Sequence, residues 1–230
     1  QASSSAASDV YKRQDLHLGV PNKEKSLVRE KLFVQWLDDI KINAEAIFLV
    51  GDIFDFWFEY KKAVPKGYVR LLGKLAEISD SGIPIHIFTG NHDMWLFDYL
   101  EDEINAHIYK EPKEISIKGK HFFIGHGDGL GPGDYSYKLM KKVFTNRFFK
   151  WCFKLIHPDI GIRIGQFLSK ENKVMSAKKD AKFINNESEW LTQYCRKKLQ
   201  SKDYNYFLFG HRHIPLDVEL NSNSRYINLG

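Results

Sequence analysis

The stretch Ala46 to Asp55, AIFLVGDIFD, constrains this chain more than any other. Five consecutive apolar residues, Ala46 to Val50, read as a strand buried on both faces. Gly51 lets the backbone turn sharply, so that Asp52 leaves the strand at its carboxyl end. Open α/β sheets place their ligands at that end. A carboxylate held there needs a cation or a set of donors, because burying a charge without compensation is very costly.

The same arrangement recurs along the chain. After Gly19, Leu27/Val28, Leu32/Phe33, Trp36/Leu37 and Ile40 follow helical spacing and predict an amphipathic helix leading into the Ala46 strand. A second helix is predicted near Gly67 to Ser79, with Tyr68, Leu71/Leu72, Leu75 and Ile78 on one face and Ser81-Gly82 closing it. Ile83 to Phe88 reads as the next strand and ends in Thr89-Gly90-Asn91-His92-Asp93. Ile115 to Ile117 and Phe122 to Ile124 flank Lys118-Gly119-Lys120 as a hairpin, whose second strand ends in Gly125-His126-Gly127-Asp128. Tyr206 to Phe209 ends in Gly210-His211-Arg212-His213, and two short strands, Leu216 to Leu220 and Arg225 to Leu229, follow. Strands alternating with helices, with polar residues at successive strand ends, predict a layered α/β fold built on βαβ units.

At 230 residues the chain is one large domain, or one domain carrying an insertion. Apolar content of 43% with 14% aromatic residues excludes disorder. No run reaches the ~18 apolar residues of a membrane span, and residues 1–14 lack the apolar region of a signal peptide. Cys152 and Cys195 have no metal-like spacing and are expected to be reduced packing residues of a cytosolic protein. The opening QASSSAASDVYKRQ is polar where a buried strand should lead into Asp15. Residues 1–14 are therefore expected to be a non-native or disordered leader that replaced a first strand. The chain stops at Gly230 without a closing element, which leaves open whether the C-terminus is truncated.

Asp15 with His17, Asp52, Asn91, His126, and His211 with His213 thus all fall at predicted strand ends. Carboxylate, imidazole and amide oxygen without thiolate suit divalent ions such as Mn²⁺, Fe²⁺ or Zn²⁺. A carboxylate bridging two such ions ~3.5–4 Å apart lets them clamp a phosphoryl group and activate a water, which is the role expected of Asp52. In Asp15-Leu16-His17 and His211-Arg212-His213, alternate side chains fall on one side of an extended backbone, where they can share an ion. Singly each motif is weak; the ordered set is specific. His86, His107, His121 and His157 lack this setting and are expected to be structural or at the surface.

The set closely resembles the calcineurin-like metallophosphoesterase family, whose pattern is D-x-H, G-D, G-N-H-D, G-H and G-H-x-H. The matching residues are Asp15-Leu16-His17, Gly51-Asp52, Gly90-Asn91-His92-Asp93, Gly125-His126 and Gly210-His211-Arg212-His213. The resemblance implies a four-layer α/β/β/α sandwich and two divalent ions. It implies one ion on Asp15, His17, Asp52 and His213, and the other on Asp52, Asn91, His126 and His211. His92 would donate to a phosphoryl or leaving-group oxygen, with Asp93 fixing its orientation. Asp55 and Trp57 are expected at the surface or the pocket rim.

From Gly129 the texture changes, and about residues 131–200 are expected to form a helical lid insertion. Between Tyr135 and Lys182 twelve Lys or Arg stand against three acids, +9 in a chain whose net charge is +5. Met140, Val143/Phe144, Phe148, Trp151/Cys152 and Leu155 form one stripe at helical spacing, widened by Phe149 and Phe153, while Lys138, Lys142, Lys150 and Lys154 keep to another side. Such a helix can lie on an anionic membrane surface or enclose a lipid; packing on the core is the plainer alternative.

The run from Gly127-Asp128-Gly129-Leu130 through Asp134 and Tyr137 resembles one branch of the family, which acts on a UDP-diacylglucosamine-type lipid. That branch cleaves the pyrophosphate to UMP and 2,3-diacylglucosamine 1-phosphate in lipid A biosynthesis, usually with Mn²⁺, at the cytoplasmic face of the inner membrane of Gram-negative bacteria. The resemblance implies that Asn91, Asp128, Asp134, Tyr137, Arg163 and Ser169 grip the substrate. Better-known enzymes of the branch carry Arg where this chain has His92. Other phosphoesters stay open as substrates: nucleotides, phosphoproteins or nucleic acid, the last disfavoured because no separate single-strand platform is visible. A non-catalytic scaffold of the same fold is the remote alternative, and no obligate protein partner is implied.

Overall fold

The computed structural model describes residues 10–13, 15–131, 135–180 and 189–229. The chain divides into two compact units, Gln1–Glu111 and Pro112–Gly230.

The first unit holds a parallel sheet of β1 (Val10–Arg13), β2 (Ala46–Val50), β3 (Ile85–Phe88) and β4 (His107–Tyr109), in that order. Its helices are α1 (Lys23–Lys41), α2 (Val69–Asp80) and α3 (Tyr99–Ile104). Phe33, Leu37 and Ile40 of α1 and Leu71, Leu75 and Ile78 of α2 share a core with Ile47, Leu49, Ile85 and Ile87 of the sheet. Each such side chain, fully buried, stabilises the fold by about 1.5–3 kcal/mol.

One expectation is corrected here. The α1 face is shifted: Val28 and Leu32 are exposed, and Ser26 and Glu30 are buried in their place. Both polar residues have work to do. Ser26 Oγ accepts the Gly19 amide at 2.7 Å. Glu30 Oε1 accepts the amides of Arg70 and Leu71 at 3.0 and 3.2 Å. That cap is needed because Tyr68, which precedes α2, is left-handed with φ 57° and makes no side-chain cap bond. Within the segment expected as a leader, Val10–Arg13 form β1 and pair in parallel with Ala46 to Leu49. Strand pairing uses backbone groups, which Tyr11, Lys12 and Arg13 carry as well as apolar residues do.

The elements α3 and β4 have no counterpart in the sequence reading. Buried Glu59, whose Oε2 accepts the amides of Asp98 and Tyr99 at 3.0 and 3.2 Å, secures the start of α3.

The second unit holds β5 (Lys113–Ile117), β6 (Lys120–Ile124), β7 (Tyr206–Phe209), β8 (Leu216–Asn221) and β9 (Ser224–Asn228), ordered β5-β6-β7-β9-β8. The hairpins β5/β6 and β8/β9 are antiparallel, and β6/β7 and β7/β9 are parallel. Its helices are α4 (Tyr135–Thr145), α5 (Arg147–Lys154), α6 (Pro158–Asp180) and α7 (Trp190–Leu199). Leu191 and Cys195 of α7 pack with Phe123, Phe207, Phe209 and Tyr226, so α7 belongs to the core although it falls inside the range expected for the lid. Burial pushes the Cys195 thiol well up from its ordinary pKa, as suits a packing residue.

The single aromatic stripe is broken in two. Asn146 ends α4 and N-caps α5, its Oδ1 accepting the Phe148 amide at 2.8 Å. No residue of α5 is buried, and Phe148, Phe149 and Trp151 stand exposed with Leu155 just beyond. The plainer alternative, packing on the core, does not describe α5. No helix among the described residues is long and apolar enough to cross a membrane.

Candidate metal centre

In the first unit the segment after β1 runs beside the turn after β2. The amides of His17 and Leu18 donate to the carbonyls of Asp52 and Ile53, and the Asp55 amide donates to Leu18, each at 2.9 Å. The two segments that carry the candidate ligands are therefore zipped together by backbone.

Asp15, His17 and Asp52 take φ of 48, 41 and 50°. With His211 at 67° they make up four of the seven non-glycine residues of positive φ among the described residues. Each costs of order 1–3 kcal/mol and persists where its surroundings over-determine it, which is common at ligand clamps. Gly90 is required by close approach, since a Cβ there would stand 2.2 Å from Asp52 Oδ1. The same carboxylate oxygen accepts the His92 amide at 2.9 Å, and Asp52 Oδ2 lies 3.7 Å from His17 Nε2.

Asp55 is not at a rim. It is buried, with Oδ1 3.8 Å from both His17 Nδ1 and His92 Nδ1, and its carbonyl oxygen lies 3.1 Å from His92 Nδ1. The His17 and His92 rings meet edge to face at 4.6 Å. One ligand atom from each of His17, Asp55 and His92 lies within 4.8 Å of the others. The Asp55 charge is felt further out: burial first, then Asp55 and Glu30, push the Tyr68 phenol up to about 12. Trp57 is fully buried too, its Nε1 donating to Glu59 Oε1 at 3.0 Å. The sequence signal for Asp55 was an acid set in the otherwise apolar run Ile53 to Phe58, where a charge is retained only for use.

Asp93 is fully buried and accepts four backbone amides, those of Gly90, Ile53, Asp52 and Phe54, at 2.7, 2.8, 3.3 and 3.4 Å. Its carboxylate ties the Gly51-Asp52 turn to the Gly90 loop. The Asp55 carbonyl and carboxylate both lie near His92 Nδ1, at 3.1 and 3.8 Å. Asn91, half-buried, sits between Gly90 and His92 in the same loop.

In the second unit His126 is buried at the end of β6, and its ring meets that of half-buried His211 at 5.2 Å. The Gly210 amide donates to the His126 carbonyl at 2.8 Å, fixing one loop to the other. Arg212 turns inward, Nη1 3.7 Å from buried Glu189 Oε1, and His213 is exposed. Buried Asp128 accepts the Tyr137 hydroxyl at 2.6 Å and lies 2.7 Å from Lys141 Nζ. Burial raises its carboxyl pKa, but Lys141 with His126 and His211 outweigh that and hold it below the ordinary value. Lys141 escaped the sequence reading; its place one helical turn after Tyr137 was the available signal. On α6, Arg163 is exposed and Ser169 buried. Asp134 lies outside the described residues.

The donor chemistry of both units fits divalent metal. The first offers buried carboxylates beside imidazoles, the second a pair of neighbouring imidazoles, and neither uses a thiolate. Buried Asp52 and Asp55 are groups that a cation stabilises.

Residues 15–215 match the calcineurin-like phosphoesterase family, and the chain belongs to it. It is a metal-dependent hydrolase of α/β fold. More narrowly, it is similar to the UDP-2,3-diacylglucosamine hydrolase of Porphyromonas gingivalis, 33% identical over 97% of this chain and 90% of that protein. The Histophilus somni protein of the same name is 23% identical over 86% of this chain and 81% of its own. Among solved structures, a phosphoesterase from E. coli covers 95% of this chain and 77% of its own at 14% identity, with a TM-score of 0.39.

Proposed function

We propose that the chain hydrolyses the pyrophosphate of a UDP-2,3-diacylglucosamine-type lipid, releasing UMP and the 2,3-diacylglucosamine 1-phosphate, a step of lipid A biosynthesis. Similarity over 97% of the chain to a protein named for that activity carries the reading. One ion is assigned to Asp15, His17, Asp52 and His213, and the other to Asp52, Asn91, His126 and His211, with Mn²⁺ as the first choice over Fe²⁺ or Zn²⁺. When bound, two such ions supply an acidified water and charge neutralisation at the phosphoryl oxygens.

The chain's own residues do the rest. His92 Nδ1 faces a carbonyl, which only accepts, so the proton sits on Nδ1. For Nε2 to donate to a phosphoryl or leaving-group oxygen the ring must be doubly protonated, and the Asp55 carboxylate beside it supplies the countercharge. Asp128, Tyr137 and Lys141 form a second polar group, suited to the sugar and phosphate part of the substrate. The exposed aromatic residues of α5, alternating with Lys150 and Lys154, suit acyl chains and an anionic membrane surface.

The test is turnover of the UDP-diacyl sugar beside bis-p-nitrophenyl phosphate, with and without Mn²⁺. Metal-dependent release of UMP supports the reading. Hydrolysis of the generic diester alone would overturn the substrate while leaving the phosphoesterase standing.

A further inference from the structure

We infer that Arg29, on α1, is a positioning residue that holds the Asp15-Leu16-His17 segment in its ligand-presenting conformation; the inference rests on the metal assignment above. The half-buried guanidinium reaches back across the chain, Nε donating to the Leu16 carbonyl at 3.1 Å and Nη2 to the His17 carbonyl at 2.9 Å. Nη2 donates to the Val20 carbonyl as well. Three carbonyls of one short turn thus converge on one planar fork, a geometry that only Arg among the side chains offers.

The segment needs such a hold. Asp15 and His17 both take positive φ, a conformation that non-glycine residues leave unless their surroundings enforce it. One turn earlier on α1, Ser26 fixes the far side of the loop by accepting the Gly19 amide at 2.7 Å. Neither Arg29 nor Ser26 is itself assigned as a ligand.

Charge and positioning make opposite predictions for Arg29. Its fixed positive charge near a cation site opposes metal binding, so removing it would tighten binding if electrostatics were its whole effect. If positioning dominates, removal weakens binding at the ion that Asp15 and His17 hold. The same atoms explain why Lys is no substitute: a single ammonium on a flexible stem keeps the charge and loses the fork.

The experiment is Mn²⁺ titration by calorimetry on the full chain, comparing the wild type, His17→Ala, Arg29→Met and Arg29→Lys, with circular dichroism to establish folding. His17→Ala is expected to lose one metal equivalent. Arg29→Met is expected to weaken that same equivalent by about 10–100-fold, the range for removing a group that orients a ligand, with the other unchanged. Arg29→Lys, the milder change should the Met variant not fold, is expected to be at least about tenfold weaker although the charge is kept. Wild-type or tighter Mn²⁺ binding in a folded Arg29 variant, with the defect present in His17→Ala, overturns the inference alone. No defect in His17→Ala overturns the metal assignment and the inference with it.

Discussion

Replacing Asp55 by Asn tests the site where sequence and structure differ most. The substitution keeps the shape and removes the charge that lies 3.8 Å from both His17 Nδ1 and His92 Nδ1. It leaves in place the Asp55 carbonyl, 3.1 Å from His92 Nδ1, so the ring keeps its hydrogen-bonded anchor. At 3.8 Å the carboxylate is too far for a hydrogen bond and acts through its charge; removing a carboxylate that supports an imidazole at a metal site costs roughly 10–100-fold in activity. His92→Ala removes the donor itself, for which the loss is about 10²–10⁴-fold. The structure therefore fixes an order, wild type above Asp55→Asn above His92→Ala. The assay is kcat and KM for bis-p-nitrophenyl phosphate at saturating Mn²⁺, with bound metal counted in each protein. An Asp55→Asn enzyme within about twofold of wild type, below the range for losing a supporting carboxylate, would refute the role given to Asp55. So would a loss as deep as that of His92→Ala.

His92→Ala itself is expected to keep its metal content while losing most turnover; loss of metal in step with activity would make His92 a ligand instead. Glu30→Ala leaves two amides of α2 without their acceptor in a buried place, which at about 1–3 kcal/mol lowers the melting temperature by roughly 2–12 °C for a chain of this size, read by thermal denaturation. The double change Phe148→Ser with Trp151→Ser, on exposed positions of α5, is expected to raise KM for the diacyl substrate by about tenfold or more through lost apolar contact. It should leave bis-p-nitrophenyl phosphate turnover unchanged, and an equal effect on both substrates would argue against a lipid-facing role.

Much of the architecture was legible because apolar runs are local. Ile47 to Val50, Ile85 to Phe88 and Tyr206 to Phe209 announce themselves, and Gly or polar residues after each mark the turn. What the sequence concealed depends on partners far along the chain. Val10–Arg13 becomes a strand through its neighbour's backbone rather than through its own side chains. Glu30 and Ser26 displace Val28 and Leu32 from the buried face because Arg70, Leu71 and Gly19 present amides there. At the site, Asp52 and the histidines carry recognisable motifs, whereas the burial of Asp55 beside His92 and the amides gathered by Asp93 depend on how the Gly51 and Gly90 turns fold. Periodicity also ran straight through Asn146, since a cap that starts a new helix leaves the spacing of Phe144, Phe148 and Trp151 intact.

Arg29 and Glu30 are consecutive, and they point to different tasks. One grips the carbonyls of Leu16 and His17, the other the amides that open α2, forty residues on. A single turn of α1 is thus a hub, and fraying of that turn would release the Asp15–Val20 loop and the second helix together. Native-state exchange of the amides of Arg70 and Leu71 should accordingly follow the opening of α1 rather than that of α2 alone, which makes the mobility of the Asp15–Val20 loop and the local stability of a second helix one quantity.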